Sequence, residues 1–459
     1  MRLNVFNKKN SFHWVAGFFM GISQQSFLNS SFPLKDRHYP MGLIQYVTEK
    51  PDLTNSLAGT GDYAPTSDFV PTNFSKGGFV DFKARLALTK PEISTFNLSE
   101  AYYSYKQNQE FRIGRSLWDW NFIEDEFQLG IWEPLFKAET LRRERQGLTG
   151  AFWIFGEPEN QVMFFASPIY IPSQGPSYVM NSQGQFENVN PWFNSPPRKV
   201  KLFASSTSVS DIQYNIHRPS EAEVVFNFSG GLWWRKQLSE KFRGTASFMR
   251  KPDNQLLLAV GGGYNVAADR GDVHIYPKIQ KHDVSSIQLD MDQSTYQTEL
   301  TYARLSYWSL FSDPTLTSTR FQSEVDVWAG RVKVPINTVN MSASYLWTSI
   351  RSLTDEGPLA FRRTALTAQL PITEAWRFGA TFGLQPYFET LEGQLYYLWS
   401  QRNQLEQISF GLSSKWRENL VIFSKVELLQ AAELTSENTN EISQSAVNDY
   451  VEVGALYEF

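Results

Sequence analysis

Apolar side chains recur at every second residue in many separate segments of this chain. Between Thr338 and Thr348, for example, Met341, Tyr345 and Trp347 share one side of the alternation. Successive side chains of a strand point to opposite faces, so each segment predicts a β-strand with one apolar and one polar face. Comparable segments span residues 80–88, 224–235, 377–385, 407–416 and 450–459.

The composition restricts where such strands can lie. Aromatic residues make up 15% of the 459 residues, although hydrophobic residues make up only 42%. The longest apolar run, Trp14–Ile22, is far shorter than the roughly 20 residues of a membrane-spanning helix. An aromatic-rich chain that is polar on average and lacks such a helix is typical of a transmembrane β-barrel, in which half of each strand faces lipid.

Composition also excludes several kinds of site. The chain has no Cys, which rules out disulfides and thiolate metal sites. Its five His residues are scattered, so we expect no metal site and no other cofactor. The formal net charge of -5 gives no indication of a nucleic-acid partner.

The alternation of short and long connections favours an all-β, antiparallel up-and-down barrel. The candidate strands number about 16 to 22, and closure requires an even number, so we expect about 18 strands, with 16 as the next expectation. Short turns are expected in the periplasm and long loops outside the cell. We expect residues 24–459 to form this one barrel domain, and the residues between 265 and 295 fit either one long connection or two further strands. Predicted short turns are 156–160, 237–241, 335–337, 371–375 and 417–419, and predicted long loops are 119–146, 170–198, 311–319, 350–360, 387–404 and 432–447.

Residues 450–459 place Val451, Val453, Tyr457 and Phe459 on one apolar strand face. The segment resembles the C-terminal strand of bacterial outer-membrane β-barrel proteins, which serves as an assembly signal. The resemblance implies a location in the outer membrane. It also implies contact with outer-membrane lipids and lipopolysaccharide, recognition by the barrel-assembly machinery, and a homo-oligomer or an envelope-protein partner.

A closed barrel must also pair this last strand with the first one. Two segments are candidates for that partner, 14–22 and the strand near Leu43. The first candidate competes with another interpretation of the N-terminus. Residues 1–23 combine basic residues, a short apolar run and small residues before Gln24, a pattern that predicts a cleaved signal peptide.

Residues 99–118 resemble a porin pattern of two strands joined by a short turn. In porins the connection that follows folds into the lumen and narrows it, which implies a channel for passive diffusion of small solutes. The corresponding segment here is 119–146. The positions that carry the resemblance are Glu100, Ala101, Tyr102, Arg112, Ile113, Gly114 and Arg115.

The 119–146 segment carries acidic residues first and basic residues later. Opposite charges on two sides of a wet constriction would create a transverse field that sorts solutes by charge and size. An alternative interpretation is a solvated external loop. The candidates for lining the pore or its constriction are Asp81, Lys83, Arg85, Arg112, Arg115, Asp119, Glu124, Asp125, Glu126, Arg142, Arg143 and Arg145.

Two other functions stay open from the sequence. A barrel of this kind can be a non-transporting scaffold, an adhesin or a subunit of an envelope complex, and the long aromatic loop 170–198 suits such a role or packs on itself. An enzyme would need a nucleophile and a base held together. His217 near Asp211 and His282 beside Asp283 lie in no motif of that kind, so we expect no enzymatic activity.

Overall fold

The structure is a computed structural model, and its description begins at the strand Ile44–Val47. Among the described residues no helix is long and apolar enough to cross a membrane. The predicted signal peptide, and the alternative first strand at 14–22, lie outside the described residues. The described residues are 44–47, 78–87, 95–138, 143–187, 190, 193, 195–196, 198–201, 209–308, 323–352, 370, 372–383, 391–402, 405–417, 420–431 and 450–457.

Strands dominate the described residues, as the alternation predicts. In chain order they are β1 (Ile44–Val47), β2 (Gly78–Ala87), β3 (Thr95–Lys106), β4 (Glu110–Ser116), β5 (Leu135–Phe136), β6 (Glu144–Arg145), β7 (Leu148–Glu157), β8 (Asn160–Ser167), β9 (Val179–Met180), β10 (Phe186–Glu187), β11 (Lys199–Lys201), β12 (Val209–Ile216), β13 (Ser229–Gln237), β14 (Phe242–Pro252), β15 (Leu257–Asn265), β16 (Arg270–Lys278), β17 (Lys281–Gln293), β18 (Tyr296–Trp308), β19 (Ser323–Ile336), β20 (Val339–Ser352), β21 (Glu374–Gly383), β22 (Leu391–Ser400), β23 (Leu405–Arg417), β24 (Leu420–Ala431) and β25 (Tyr450–Tyr457). Two short helices lie in the connections, α1 (Phe122–Phe127) and α2 (Glu221–Val225).

Seventeen of the described strands form one sheet in which each strand pairs antiparallel with its neighbour. The sheet confirms the predicted up-and-down architecture. The neighbour order is β2, β3, β4, β7, β8, β13, β14, β17, β18, β19, β20, β21, β22, β23, β24, β25 and β1.

The C-terminal strand pairs with an N-terminal partner, as closure of a barrel requires. Ile44 lies opposite Val453 and Val47 opposite Tyr450, so the strand near Leu43 is the partner. Sixteen antiparallel steps separate β1 from β2 along the sheet, so these two strands run in the same direction. The 17 described strands alone therefore cannot close an all-antiparallel ring, and the total of about 18 stays a prediction.

Bulky apolar side chains line the outward face in continuous cross-strand rows. One row runs through Tyr105, Phe111, Trp153, Phe164, Leu232 and Phe248, each directly opposite the next and each between 38% and 51% exposed. A second row includes Ile287, Tyr302 and Trp328. In water these rows would form a large exposed apolar patch, whereas in a membrane they contact lipid. The described sheet is therefore the wall of a transmembrane β-barrel.

The connections alternate in length around the sheet. The predicted short turns 156–160, 237–241 and 335–337 join β7 to β8, β13 to β14 and β19 to β20. The predicted long loops 119–146 and 170–198 lie in the connections β4–β7 and β8–β13. The two rims of the barrel are therefore a short-turn end and a long-loop end, and β25 finishes at the short-turn end beside β24.

Three boundaries predicted from the sequence are wrong. Residues 387–404 include the strand β22 rather than one long loop, because Tyr396 and its neighbours alternate against β21 and β23. The predicted turn 371–375 is also wrong, since its described residues 372–375 lead into β21 at the long-loop end and include the first two residues of that strand. Residues 224–228 belong to α2 and its exit rather than to a strand; a Ser220 capping box starts that helix.

A second, four-stranded sheet stands on the long-loop end, and we call it the cap sheet. Its order is β11, β12, β16 and β15, with β12 and β16 parallel. The region between 265 and 295 thus contributes strands to two sheets, since β15 and β16 form a hairpin in the cap and β17 returns to the barrel. One face of the cap sheet is apolar, and Ile212 and Tyr214 pack there against Phe186.

The outward face predicts how a charge in the wall would behave. Ile287 lies at the centre of β17 and is 66% exposed. Replacing it by Arg should lower the free energy of unfolding in lipid vesicles by about 2–4 kcal/mol, because the guanidinium would enter hydrocarbon. Denaturant titration of the vesicle-inserted protein measures this change.

The matched control is Leu238→Arg in the β13–β14 turn, where Leu238 is 57% exposed. A charge at the rim lowers the free energy of unfolding by only about 0–1 kcal/mol. Equal losses for Ile287→Arg and Leu238→Arg would contradict the assignment of this face to lipid.

Candidate functional site

We call the connection between β4 and β7, residues 117–147, the lumen loop, and its described residues 117–138 and 143–147 fold inside the barrel. Its two ends meet where Ser116 pairs with Leu148. Gly147 permits this approach, since a Cβ there would lie 2.5 Å from the Ser116 carbonyl carbon. Gly114, just before the loop, has φ +129°, and a Cβ on it would lie 2.3 Å from the Ala101 oxygen. The Gly of the porin-like stretch is thus required by backbone geometry.

Helix α1 forms the leading part of the lumen loop. Asn121 caps it, because the Asn121 Oδ1 accepts a hydrogen bond from the Ile123 N–H at 3.0 Å. Gln128 ends it in the left-handed region with φ 47°, and the Gln128 N–H donates to the Glu124 oxygen at 3.1 Å. This turn directs the chain back toward β7.

An apolar seat fixes the loop to the barrel wall. The loop side chains Trp120, Ile123 and Trp132 are completely buried, and they belong to one cluster with inward-facing wall residues. Polar contacts add to the seat, since Gln288 of β17 accepts from the Phe122 N–H at 3.1 Å. The wall residues of the cluster include Phe152, Met163, Trp233, Met249, Val284, Leu305, Val327 and Leu346.

Two buried carboxylates organise the loop backbone. Glu124 accepts hydrogen bonds from the N–H groups of Gly130, Ile131 and Trp132 at 2.9, 2.5 and 3.2 Å. Burial raises the pKa of the Glu124 carboxyl, although Arg145 and these three N–H groups act in the opposite direction.

The second buried carboxylate, Glu133, has a charged partner. It accepts from the Trp118 N–H at 2.7 Å and pairs with the Arg145 Nη2 at 2.7 Å. Burial raises the pKa of Glu133 to about 7, because desolvation outweighs the attraction of Arg145. Arg145 also pairs with Asp125, so its guanidinium connects the two halves of the loop.

The tip of the loop is bound to the far wall of the barrel. The carboxylate of Glu126 pairs with Arg331 of β19 at 2.8 Å and with Arg377 of β21 at 3.4 Å. It also accepts from the Ser344 hydroxyl of β20 at 3.0 Å. Both guanidiniums also have aromatic neighbours: Arg331 lies 4.9 Å from the Phe122 ring centroid and Arg377 lies 4.4 Å from that of Tyr396.

These contacts show how strongly the sheet curls. Seven strands lie between β4 and β20, namely β7, β8, β13, β14, β17, β18 and β19. Across a flat sheet that separation would be roughly 38 Å. The stretch from residue 117 to Glu126 reaches roughly 25 Å even with its first half extended. The lumen loop therefore crosses the interior of a closed curve.

The structure assigns different surroundings to the predicted site residues. Arg112 faces the lumen, where its guanidinium pairs with Glu110 at 2.6 Å and lies over the rings of Tyr102 and Trp118. Asp119 is exposed, and the Asp125 side chain is 45% exposed. Arg112 thus lies beside the lumen loop, whereas Asp119 and Asp125 belong to it.

Other predicted lining residues serve as anchors instead. Glu124 is completely buried and binds backbone N–H groups, so it does not line an open passage. Arg115 is 7% exposed, and its Nε donates to the Gly147 oxygen at 3.1 Å, which holds the end of the loop. Arg143 is half-buried and donates to the Gln128 oxygen at 3.4 Å.

Four predicted residues cannot be placed as side chains. Arg142 lies outside the described residues. Asp81, Lys83 and Arg85 lie in β2, where only the backbone register is described, with Asp81 opposite Tyr102. In the predicted C-terminal signal, Val451 is half-buried and Val453 is 47% exposed, Tyr457 ends β25, and Phe459 lies outside the described residues.

One predicted basic residue of the loop, Arg145, does not face the acidic residues across the lumen. Arg145 pairs directly with Asp125 and Glu133, so acidic and basic residues neutralise each other on one side of the lumen. The sequence order of the charges suggested two sides, but the return strand β6 brings the basic segment back against the acidic one.

Several wall residues near the loop were missed because no motif marks them. Arg243 pairs with Asp290 at 2.9 Å, and Arg331 pairs with Glu299 as well as with Glu126. Each lies on the polar side of a predictable strand alternation. The strand alternation could have identified these residues as facing the lumen. It does not show which residue each of them contacts across the lumen.

The two His–Asp pairs that were candidates for an enzyme site do not form acid–base pairs. The His217 ring bonds to His274 rather than to Asp211. His282 is 1% exposed, and neither ring nitrogen has a hydrogen-bond partner among the described residues. Asp283 is bound instead by Arg250 at 2.8 and 2.9 Å. No group of three or more His, Asp or Glu residues among the described residues could hold a metal ion.

The barrel wall, its apolar outward face and its inward loop define the chain as an outer-membrane β-barrel protein. No protein-family model matches the chain, and no curated protein matches it. Among solved structures, OccAB2 of Acinetobacter baumannii is similar at 11% identity and a TM-score of 0.42, covering 84% of this chain and 88% of its own. OccD3 (OpdP) of Pseudomonas aeruginosa has 8% identity and a TM-score of 0.41, covering 84% and 83%.

A further similar structure is OmpT, an outer membrane protein of Vibrio cholerae, in its trimer form. Its identity is 8% and its TM-score 0.37, with coverage of 84% of this chain and 87% of its own. All three TM-scores lie below 0.5, so the class of the protein rests on its own sheet and surface.

The buried Glu133 predicts a pH dependence of stability. Its folded-state pKa of about 7 lies above the ordinary value of 4.5, so the folded state binds the proton more tightly. The stability of the wild type relative to Glu133→Gln should therefore be highest below pH 4.5. It should fall by about 3 kcal/mol as the pH rises to 7.5. Denaturant unfolding of both proteins at several pH values measures this difference.

The control is Glu159→Gln in the exposed β7–β8 turn. This variant reports any general effect of removing one carboxyl group from the protein. If the wild type gained stability over Glu133→Gln as the pH rose, the buried environment of Glu133 would be contradicted.

Proposed function

We propose that this outer-membrane β-barrel is a porin-like channel for passive diffusion of small solutes, with the lumen loop as its constriction. The observation that supports this most directly is the contact between Glu126 and the opposite wall. A segment that starts on one wall and is held on the other must narrow any passage through the barrel. The width of the passage would then depend on how firmly the loop tip at Glu126 is held.

The described charges favour selection by size over selection by charge. Arg145 is neutralised within the loop, and Arg331 shares Glu126 and Glu299. Arg243 lies against Asp290. Fields from paired charges fall off quickly with distance, so a hydrated solute would meet little net transverse field.

Replacing Glu126 by Ala tests this proposal. The loop tip would lose its charge-assisted contacts to the wall strands β19 and β21. Arg377 would lose its carboxylate partner, whereas Arg331 would keep Glu299. We expect wild-type protein to give discrete steps in planar-bilayer recordings, and Glu126→Ala to give larger or noisier steps. Glu240→Gln, in the exposed β13–β14 turn, is the control and should behave like the wild type.

Identical recordings for wild type and Glu126→Ala would contradict the constriction and leave the channel in place. Silence of the wild type, of Glu126→Ala and of a variant lacking residues 119–146 would contradict the channel itself. Heat-modifiable migration on gels, or circular dichroism, shows in each case that the barrel has folded.

The apolar seat favours one second candidate, a non-transporting barrel that acts as a scaffold, an adhesin or an envelope-complex subunit. Trp120, Ile123 and Trp132 bury their side chains in the lumen, where a wide channel would expose water-binding groups. The bilayer recordings separate the two candidates. The expectation that the protein is not an enzyme remains part of both.

A further inference from the structure

A pair of histidines lies on the polar face of the cap sheet, away from the lumen loop. His217 directly follows β12, and His274 lies in β16. The parallel register places Ile216 beside Ile275, which brings the two rings together. The His217 Nε2 is 2.9 Å from the His274 Nδ1. Residues that are 57 positions apart in sequence thus present two ring nitrogens to each other.

The His217 ring is held in position by its surroundings. It stacks on the Tyr276 ring, with centroids 4.3 Å apart and an angle of 7° between the planes. The His217 backbone N–H donates to the Ile275 oxygen at 2.8 Å. The ring therefore does not have to be ordered when a ligand arrives, which lowers the entropic cost of binding.

The neighbouring strand leaves the site accessible. Gly261 of β15 lies directly opposite His274 and has no side chain to cover it. Gly263 lies opposite Asp272, and a Cβ there would meet no atom within 4 Å. His217 itself is exposed. Solvent and a small ion can therefore reach both rings.

We propose that His217 and His274 bind a divalent transition-metal ion, with Cu²⁺ or Ni²⁺ preferred over Zn²⁺. Two imidazole nitrogens at about 2.05 Å from one metal are about 2.9 Å apart when the angle at the metal is 90°. The tetrahedral angle that Zn²⁺ favours would separate them by about 3.3 Å. The 2.9 Å between the facing nitrogens of the hydrogen-bonded pair places both within reach of adjacent positions on one such ion.

The proton balance is simple for two neutral rings. In the hydrogen-bonded pair, one facing nitrogen carries a hydrogen and the other accepts it. Metal binding needs both facing nitrogens free, so that hydrogen moves through water to the remote nitrogen of the same ring. Neither ring gains or loses a proton overall.

Water completes the coordination sphere. The described residues supply no third ligand, since no group of three His, Asp or Glu residues has metal-binding geometry. The Asp272 carboxylate, on the same strand face, is already held by Arg270 at 3.0 Å and Asn265 at 3.2 Å. A site with two protein ligands is open to exchange and binds its metal reversibly.

Titration of the folded full-length protein in detergent with CuCl₂ and NiCl₂ tests the proposal. Calorimetry should show saturable binding that His217→Gln/His274→Gln weakens by about 100-fold or more, above the usual effect of losing an outer-shell partner. Electron paramagnetic resonance of the Cu²⁺ complex should show two bound nitrogens. The control His38→Gln removes another histidine and should keep the signal.

Three results would overturn the proposal. The first is wild-type protein that binds neither metal saturably, and the second is a spectrum with a single nitrogen ligand. The third is unchanged affinity in His217→Gln/His274→Gln. Because both substitutions lie on a solvent-facing surface of the cap, heat-modifiable migration of the variant should match the wild type. Tighter binding of ZnCl₂ than of CuCl₂ would contradict the right-angle geometry.

Discussion

In a hydrocarbon layer an unpaired backbone N–H or C=O group has no water to bond with, and this constraint accounts for the form of the main sheet. Every described wall strand finds its partner in the next strand, and β25 finds a further partner in β1. Once the sheet curls to satisfy its backbone, its two faces meet different solvents. The outward rows of Trp, Tyr and Phe and the inward ion pairs follow from that separation.

The interior of the barrel is divided by the lumen loop. On the wall strands β7 to β20 the loop packs apolar side chains against apolar wall residues, so part of the lumen resembles the core of a soluble protein. Around Glu126 the contacts are ionic instead. An apolar seat gives the loop a fixed position, and the ionic tip gives it a contact that a single substitution can release. The lumen loop therefore needs apolar residues at its seat and an acidic residue at its tip.

Much of the fold follows from period-two alternation, because strand geometry links each residue to a face without reference to distant contacts. The strands around 80–88, 338–348, 407–416 and 450–457 all agree with that rule. The rule fails at 224–228, where apolar residues alternate but Ser220 and Glu223 start a helix. At 387–404 the sequence predicted a loop although the strand β22 alternates within it. Local signals compete at such positions, and tertiary pairing decides between them.

By itself the sequence determined the class of fold, because side-chain alternation and short-range backbone rules act without distant contacts. It left two candidates for the partner of the last strand and two interpretations of the 119–146 segment. The structure selected the strand near Leu43 as the partner and placed the described part of that segment against the inner wall. Only the tertiary structure decided that Arg145 neutralises Asp125 and Glu133, that Glu126 reaches Arg331 and Arg377, and that His217 meets His274. The Arg145 contacts are set by the β5–β6 return within the lumen loop. The Glu126 contacts depend on the curl of the sheet, and the His217–His274 contact depends on the parallel pairing in the cap.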